Sequence, residues 1–237
     1  LSAHAELNAI PLLENLVKHS QFKPTKIELE LSFDSFPNHK IMEVWWFQNA
    51  NQFKLQTVSV GSDWLFWESL YKFGKKLGPI PTQTETIKAS HLLTEQIFFY
   101  NLLNSITQAL AANSISTQNL TLSRQQGRVA IKFPSTQNQS EAALWIDQQS
   151  GEVSRIFQIS GCDVTYSLSG LVSQYPKSRT YKWINFSAQA VTKSKSEITK
   201  FEPIFFEQLS GKYKEAPETS DTSLFLEHLK QFYKFCR

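Results

Sequence analysis

The sequence predicts a mainly β domain, one large antiparallel sheet, strongly curved or partly closed, with a helix inserted midway and a helix near each end. Two observations carry this reading. Residues 27–33 (Ile-Glu-Leu-Glu-Leu-Ser-Phe) alternate strictly, placing Ile27, Leu29, Leu31 and Phe33 on one face and Glu28, Glu30 and Ser32 on the other. Residues 41–67 then hold three extended aromatic runs, 41–47, 53–60 and 64–67, broken by Asn49-Ala50-Asn51 and Gly61-Ser62-Asp63. Short β-rich runs bounded by turn residues are the pattern of an antiparallel meander. Four of the six tryptophans (Trp45, Trp46, Trp64, Trp67) fall within it. Trp45 and Trp46 have opposite strand parity, so each face of that strand must meet something apolar.

The remaining elements follow in order. Pro11 in a first turn and the Leu12, Leu13, Leu16, Val17 face predict a helix over 11–19, which Pro24 ends. After the meander, residues 68–89 carry Gly74, Gly78, Pro79 and Pro81 and read as an irregular excursion. A long helix is predicted over 90–113, with Ser90 as N-cap. Leu92, Phe99, Leu103, Ile106 and Leu110 form one stripe, and Leu93, Ile97, Phe98 and Leu102 widen it. Such a helix is either buried in an ordinary core or a lid over an apolar cavity.

Strands are predicted over 115–122, 128–133, 142–147, 153–159, 163–168 and 180–188, with a further one within 197–206. Gln148-Gln149-Ser150-Gly151 marks a tight hairpin, with Asp147 orienting the turn. Residues 211–220 are polar around Pro217. A final helix over 221–235 has Asp221 or Thr222 as its cap and a Leu224, Leu226, Leu229, Phe232, Tyr233 face. No internal repeat and no second domain is evident, so residues 1–237 read as one domain.

Composition narrows the function. A net charge of +3 and small lysine groups (Lys75-Lys76; Lys193, Lys195, Lys200) do not make a phosphate-tracking stripe, so nucleic acid is not expected as a partner. No apolar run reaches a membrane span. With 18 Phe and only 19% charged residues, the chain suits a cell-envelope or secreted protein. Ala3-His4-Ala5 has the small-x-small form that precedes a signal-peptidase cut, so residues 1–5 read as the end of a removed signal peptide or as an unrelated remnant. Cys162 and Cys236 either pair in an oxidising compartment or stay as two thiols.

Catalytic groups do not assemble in the sequence. The five histidines (His4, His19, His39, His91, His228) are scattered without metal-ligand spacing. There is no nucleophile elbow and no phosphate loop, and Cys162 between Gly161 and Asp163 reads as structural. We therefore expect no enzyme, no metal and no cofactor. What remains is apolar surface. A curved sheet with a broad apolar helix beside it would enclose a cavity suited to acyl chains, where each buried methylene contributes about 0.8 kcal/mol. The expected lining is Leu29, Leu31, Phe33, Val44, Trp46, Phe53, Leu55, Leu144 and Ile146 on strands, with Phe98, Phe99 and Leu102 on the lid.

The same residues carry a family resemblance. Trp46, Ala50, Phe53 and Leu55, then Val58-Ser59-Val60-Gly61, then Leu65-Phe66-Trp67, resemble the early aromatic strands of the LolA-type outer-membrane lipoprotein carriers (the LolA/LolB-like superfamily). Residues 143–147 (Ala-Leu-Trp-Ile-Asp) with Ser150-Gly151 and 153–157 resemble that family's later hairpin, and residues 166–176 resemble the strand and proline that follow it. The resemblance implies an unclosed antiparallel β-barrel, a half-barrel, with residues 90–113 as its helical lid. It also implies a periplasmic protein that shields the acyl chains of lipoproteins or other lipids, and the chain is separately expected to be a monomer. Its partners would be an inner-membrane donor complex and an outer-membrane acceptor.

The chain departs from the family at Asn49 and Ala50, where the family often carries arginine and proline. It departs again at Phe201-Glu202-Pro203, a reduced form of a late signature, and in the extra helical tail 221–237. The alternative is an envelope sensory or protein-interaction module with the same fold, its cavity filled by its own side chains.

Overall fold

The computed structural model describes residues 7–20, 23–60, 65–72, 75–77, 87–88, 93–137, 141–170, 175–207 and 220–236. The Ala3-His4-Ala5 tripeptide, the Gly61-Ser62-Asp63 turn, Ser90 and the 211–219 loop lie outside them.

Among the described residues, thirteen strands form one antiparallel sheet. In chain order they are β1 (Thr25–Phe33), β2 (Phe36–Asn49), β3 (Gln52–Ser59), β4 (Leu65–Lys72), β5 (Lys75–Leu77) and β6 (Ile87–Lys88), then β7 (Thr121–Gln125), β8 (Arg128–Phe133), β9 (Ala143–Asp147), β10 (Val153–Phe157), β11 (Asp163–Tyr166), β12 (Ser178–Trp183) and β13 (Phe186–Glu197). The spatial order is β6-β5-β4-β3-β2-β1-β13-β12-β11-β10-β9-β8-β7. Two meanders thus meet at the centre, where β1 pairs with β13 from Thr25↔Glu197 to Phe33↔Ala188. The outermost strands, β6 and β7, are not hydrogen-bonded to each other, so the barrel is unclosed.

This topology positions the helices. β6 and β7 are consecutive in sequence but lie at opposite edges of the sheet. The chain between them must cross the sheet, and its described residues carry two helices, α2 (Leu93–Gln96) and α3 (Leu103–Ala112). The remaining helices, α1 (Ala9–His19) and α4 (Ser220–Cys236), begin and end the described chain. Asn8 caps α1, its Oδ1 accepting from the Ile10 amide at 2.9 Å, while Lys18 and His19 in the last turn face the negative end of the helix dipole.

The alternation of β1 is realised without exception: Thr25, Ile27, Leu29, Leu31 and Phe33 are buried, and the residues between them are half-exposed. We call the face they share the inner face. On the outer face of β1, Glu28 takes Lys26 at 2.6 Å and the Ser194 hydroxyl at 2.8 Å.

The two parities of the aromatic strand both find apolar cover. Trp45 and Phe47 point inward into the main core, while Trp46 points outward, its ring 5.6 Å from that of Phe205. Phe205 belongs to a 3-10 turn, Pro203–Phe206, where Phe201, Phe205 and Phe206 form one ring cluster. β9 is buried along its whole length for a similar reason. Its inner residues Leu144 and Ile146 join the core, and outward Trp145 sits in a small second cluster with Ala130, Ala143 and Phe157. Arg155 and Lys132 cover that indole at 4.6 and 5.4 Å.

Several elements differ from the sequence expectation. The 90–113 helix is two helices: the chain leaves α2 through Ile97–Tyr100 and re-enters at Leu103 from an extended Leu102. The reason is that Gln96 Nε2 donates to the Ala50 carbonyl at 3.0 Å and the Phe99 ring stacks on Phe47 at 3.9 Å, which commits this stretch to the sheet. The strand expected over 180–188 is a hairpin turning at Ile184-Asn185, with Ile184 at φ 51° and Trp183 opposite Phe186. A β-branched residue with positive φ is uncommon, which is why no turn is legible there. The strand expected within 197–206 is the 3-10 turn, started by Pro203. Of the strand expected over 115–122, residues 115–120 bridge only at Ile115, to Ser135, where Ser114 and Asn119 have φ of 58° and 55°; the strand begins at Thr121. Within 68–89, residues 68–72 continue β4, followed by β5 and β6.

Candidate functional site

Among the described residues, the inner face is apolar from β4 to β8 in the sheet order, each strand contributing alternate residues to it. Leu29, Leu31 and Phe33 on β1, Phe53 and Leu55 on β3, and Leu144 and Ile146 on β9 all lie in one cluster. Phe99 joins them by its stack on Phe47, and Phe98 meets Tyr166 and Tyr175 edge-on at 5.4 and 5.3 Å. These nine residues of the expected lining are brought together. Three are not. Val44 and Trp46 lie on the outer face, since β2 pairs Ile27↔Trp45 and Leu29↔Glu43 and so shares its odd parity with β1. Leu102 is 61% exposed, at the break between α2 and α3.

The sheet side chains named above are closely covered. Leu29, Leu31, Phe53, Leu55, Leu144 and Ile146 are 0% exposed, so no water-sized space adjoins them. Among the described residues, cover comes from the turn after α2, where Phe99 stacks on Phe47, and from α4, which lies over Phe33, Tyr181 and Trp183. Phe232 of α4 meets those rings at 5.5, 5.2 and 5.3 Å, and Phe225 meets Phe33 at 5.8 Å. The Cys162–Cys236 disulfide joins the last residue of α4 to the start of β11, and the Ser160 hydroxyl donates to the Phe235 carbonyl at 2.5 Å.

Two polar centres sit within this apolar field, and sequence reading missed both. In the first, Glu95 of α2 is reached from β12 and the residues before it. Its carboxylate accepts from Arg179 Nη1, from the Tyr175 hydroxyl at 2.5 Å and from the Tyr181 hydroxyl at 3.1 Å. Arg179 also lies over the Tyr175 ring at 4.7 Å. Both members of the ion pair are fully enclosed. Burial pulls the Arg179 guanidinium down, but the charge of Glu95 and the two tyrosine oxygens outweighs it and holds the group well above its ordinary value. Burial, assisted by Glu95, pushes the Tyr175 hydroxyl well above its ordinary value, so it stays a donor. In the second centre, Glu43 on β2 accepts from the Tyr233 hydroxyl of α4 at 2.8 Å and from Trp45 Nε1 at 3.2 Å. Thr57 on β3 reaches the same Tyr233 oxygen. The available signal was parity: Glu43 shares its side of β2 with Ile41, Trp45 and Phe47, and Arg179 shares its side of β12 with Tyr181 and Trp183.

The polar chemistry of the β9–β10 hairpin is structural. Asp147 Oδ1 accepts from the Ser150 amide at 2.7 Å and its hydroxyl at 2.8 Å, which sets the β9–β10 turn, and Gly151 supplies the positive φ of 73° it needs. Among the described residues no group of three or more His, Cys, Asp or Glu is placed to hold a metal ion. No described helix is long and apolar enough to cross a membrane.

Neither a protein-family model nor a curated protein sequence matches the chain. Solved structures do. A LolA-superfamily protein from Nitrosomonas europaea superposes with a TM-score of 0.55 at 13% identity, over 84% of this chain and 97% of that one. A domain assigned to outer-membrane lipoprotein sorting, from Vibrio parahaemolyticus, superposes with a TM-score of 0.52 at 11% identity, over the same shares of each chain. At these identities the likeness is one of fold: the chain has the fold of the LolA superfamily.

Proposed function

We propose that this chain, with its LolA-superfamily fold, is a periplasmic binder or carrier that shields the acyl chains of lipoproteins or other lipids on the inner face of its sheet. The observation that carries the reading is an apolar inner face running from β4 to β8 in the sheet, covered by helices and by the turn after α2. No strand hydrogen bonds need to break for such a cover to lift. Residues Leu29, Leu31, Phe33, Phe53, Leu55, Phe98, Phe99, Leu144 and Ile146 are the contact set. Val44, Trp46 and Leu102 leave the set because of where they lie. The action is burial of methylenes, about 0.8 kcal/mol each, and involves no bond-making.

The Cys162–Cys236 disulfide supports an oxidising compartment, as export to the periplasm requires. The sorting role assigned to the Vibrio parahaemolyticus neighbour supports transfer toward the outer membrane, between an inner-membrane donor and an outer-membrane acceptor. The carrier acts as a monomer.

A second reading has its own support. Six of the contact residues have no exposed surface, which suits a module with the same fold, a self-filled core and a protein partner in place of lipid. Native mass spectrometry and lipid extraction of the protein purified from an envelope fraction separate the two. Acylated species are expected on the carrier. Protein that is lipid-free, and remains so after incubation with a palmitoylated peptide, overturns carriage and favours the second reading.

A further inference from the structure

The C-terminal helix presents an acyl-like stripe to the sheet. Phe225, Leu229, Phe232 and Cys236 recur at helical spacing, are all buried, and cover about 17 Å of the inner face at 1.5 Å per residue. Its two ends are held differently. The C-terminal end is covalent, through Cys162–Cys236. The N-terminal end meets the sheet through rings: Phe225 stacks on His39 at 4.6 Å and meets Phe36 at 5.7 Å, beside Leu224, which is 65% exposed. Between the ends the fit is imperfect. His228 of α4 and Trp183 of β12 have rings 5.5 Å apart, and His228 Nε2 and Trp183 Nε1 are each buried with no hydrogen-bond partner among the described residues. An unsatisfied buried polar atom weakens the packing that encloses it.

We propose that the N-terminal part of α4 is a self-inserted occupant of an acyl-chain subsite formed by Phe33, Phe36 and Trp183, the rings that Phe225 and His228 meet. A long-chain fatty acyl group enters this subsite by displacing the N-terminal part of α4, and the disulfide keeps the other end of the helix on the sheet. The inference rests on the acyl-binding reading above and adds to it the location of one subsite and its competitor. With α4 seated, only the fraction of molecules with the helix lifted is competent to bind, so the apparent affinity is reduced by that fraction.

The test is binding of a fluorescent long-chain fatty acid to the full chain, wild type against Phe225→Ala and against the exposed control Leu224→Ser. Hydrogen exchange of the α4 amides is followed with and without the probe. The expected results are an affinity about tenfold or more higher for Phe225→Ala, no change for Leu224→Ser, and faster exchange at the N-terminal α4 amides when the probe binds wild type. Equal or weaker binding by a folded Phe225→Ala, or slower exchange across α4 on binding, overturns the competitor while leaving acyl binding intact. Failure of every form to bind overturns both. If Phe225→Ala lowers the folded fraction, exchange in the wild-type protein decides alone.

Discussion

Tyr233 in the C-terminal helix donates its hydroxyl hydrogen to Glu43 on the second strand, 2.8 Å away, while Thr57 on the third strand contacts the same oxygen. With the Tyr233 proton directed to a carboxylate, Thr57 is the donor to Tyr233. One phenol thus ties the helix to two neighbouring strands at a position that is fully buried. Tyr233→Phe leaves both partners short of one hydrogen bond. It should lower unfolding free energy by about 1–3 kcal/mol in urea titration. Lys230→Ala removes only an exposed pair with Glu227 and should shift it by less than about 1 kcal/mol.

The Glu95–Arg179 pair fastens α2 to the sheet. Arg179→Met leaves a buried carboxylate facing two hydroxyls, and should cost about 3–5 kcal/mol. Replacing both members by Leu and Met removes the stranded charge, so the double variant should be more stable than the single one by thermal unfolding. A double variant as unstable as the sum of the two singles would contradict the pair as described.

Acid should loosen α4. Burial lowers the pKa of His228, so its neutral form is the one the folded protein prefers. Its ring faces Phe33, Phe36, Trp183 and Phe186 from the sheet. His39 stacks on the adjoining Phe225, and Glu227, the preceding residue of the helix, pairs with Lys230. The contribution is complete above the ordinary histidine pKa of about 6.5. It is lost as pH falls from there to the lowered folded value, because the unfolded chain takes the proton first. Stability measured from pH 7.5 to 5 should therefore decline, and His228→Phe should flatten that slope.

The disulfide closes a separation of 74 residues. Its removal in Cys162→Ser/Cys236→Ser should lower stability by about 4 kcal/mol by the chain-entropy relation. The far-UV circular dichroism of the sheet should persist, and hydrogen exchange should quicken first in the last turns of α4.

How legible this was varied with the kind of signal. Strict alternation made β1 readable, and β8 falls at the expected residues 128–133. The hairpin at Gln148–Gly151 was readable because Asp147, Ser150 and Gly151 each have a turn chemistry. The aromatic strand was readable as a strand but not in its parity. Trp45 and Trp46 are equally apolar, and the inward choice depends on Glu43 finding Tyr233 at a sequence distance of 190 residues. The same holds for Arg179 and Glu95, 84 residues apart: strand parity places Arg179 inward, but no local pattern names its partner. The C-terminal helix was visible from its periodicity, yet its seat on the inner face depends on tertiary contacts with Phe33 and Trp183.

The central claim is that acyl chains bind on the inner face, and site-mapped photolabelling tests it most directly. The protein is incubated with a diazirine-bearing palmitoyl probe, irradiated, digested and sequenced by mass spectrometry. The account predicts adducts on inner-face strands and the helices over them, at residues such as Leu31, Phe33, Phe99 and Phe232, with competition by unlabelled palmitate. Adducts confined to the outer face around Trp46 and Phe205, or the lack of any competed adduct, would contradict it.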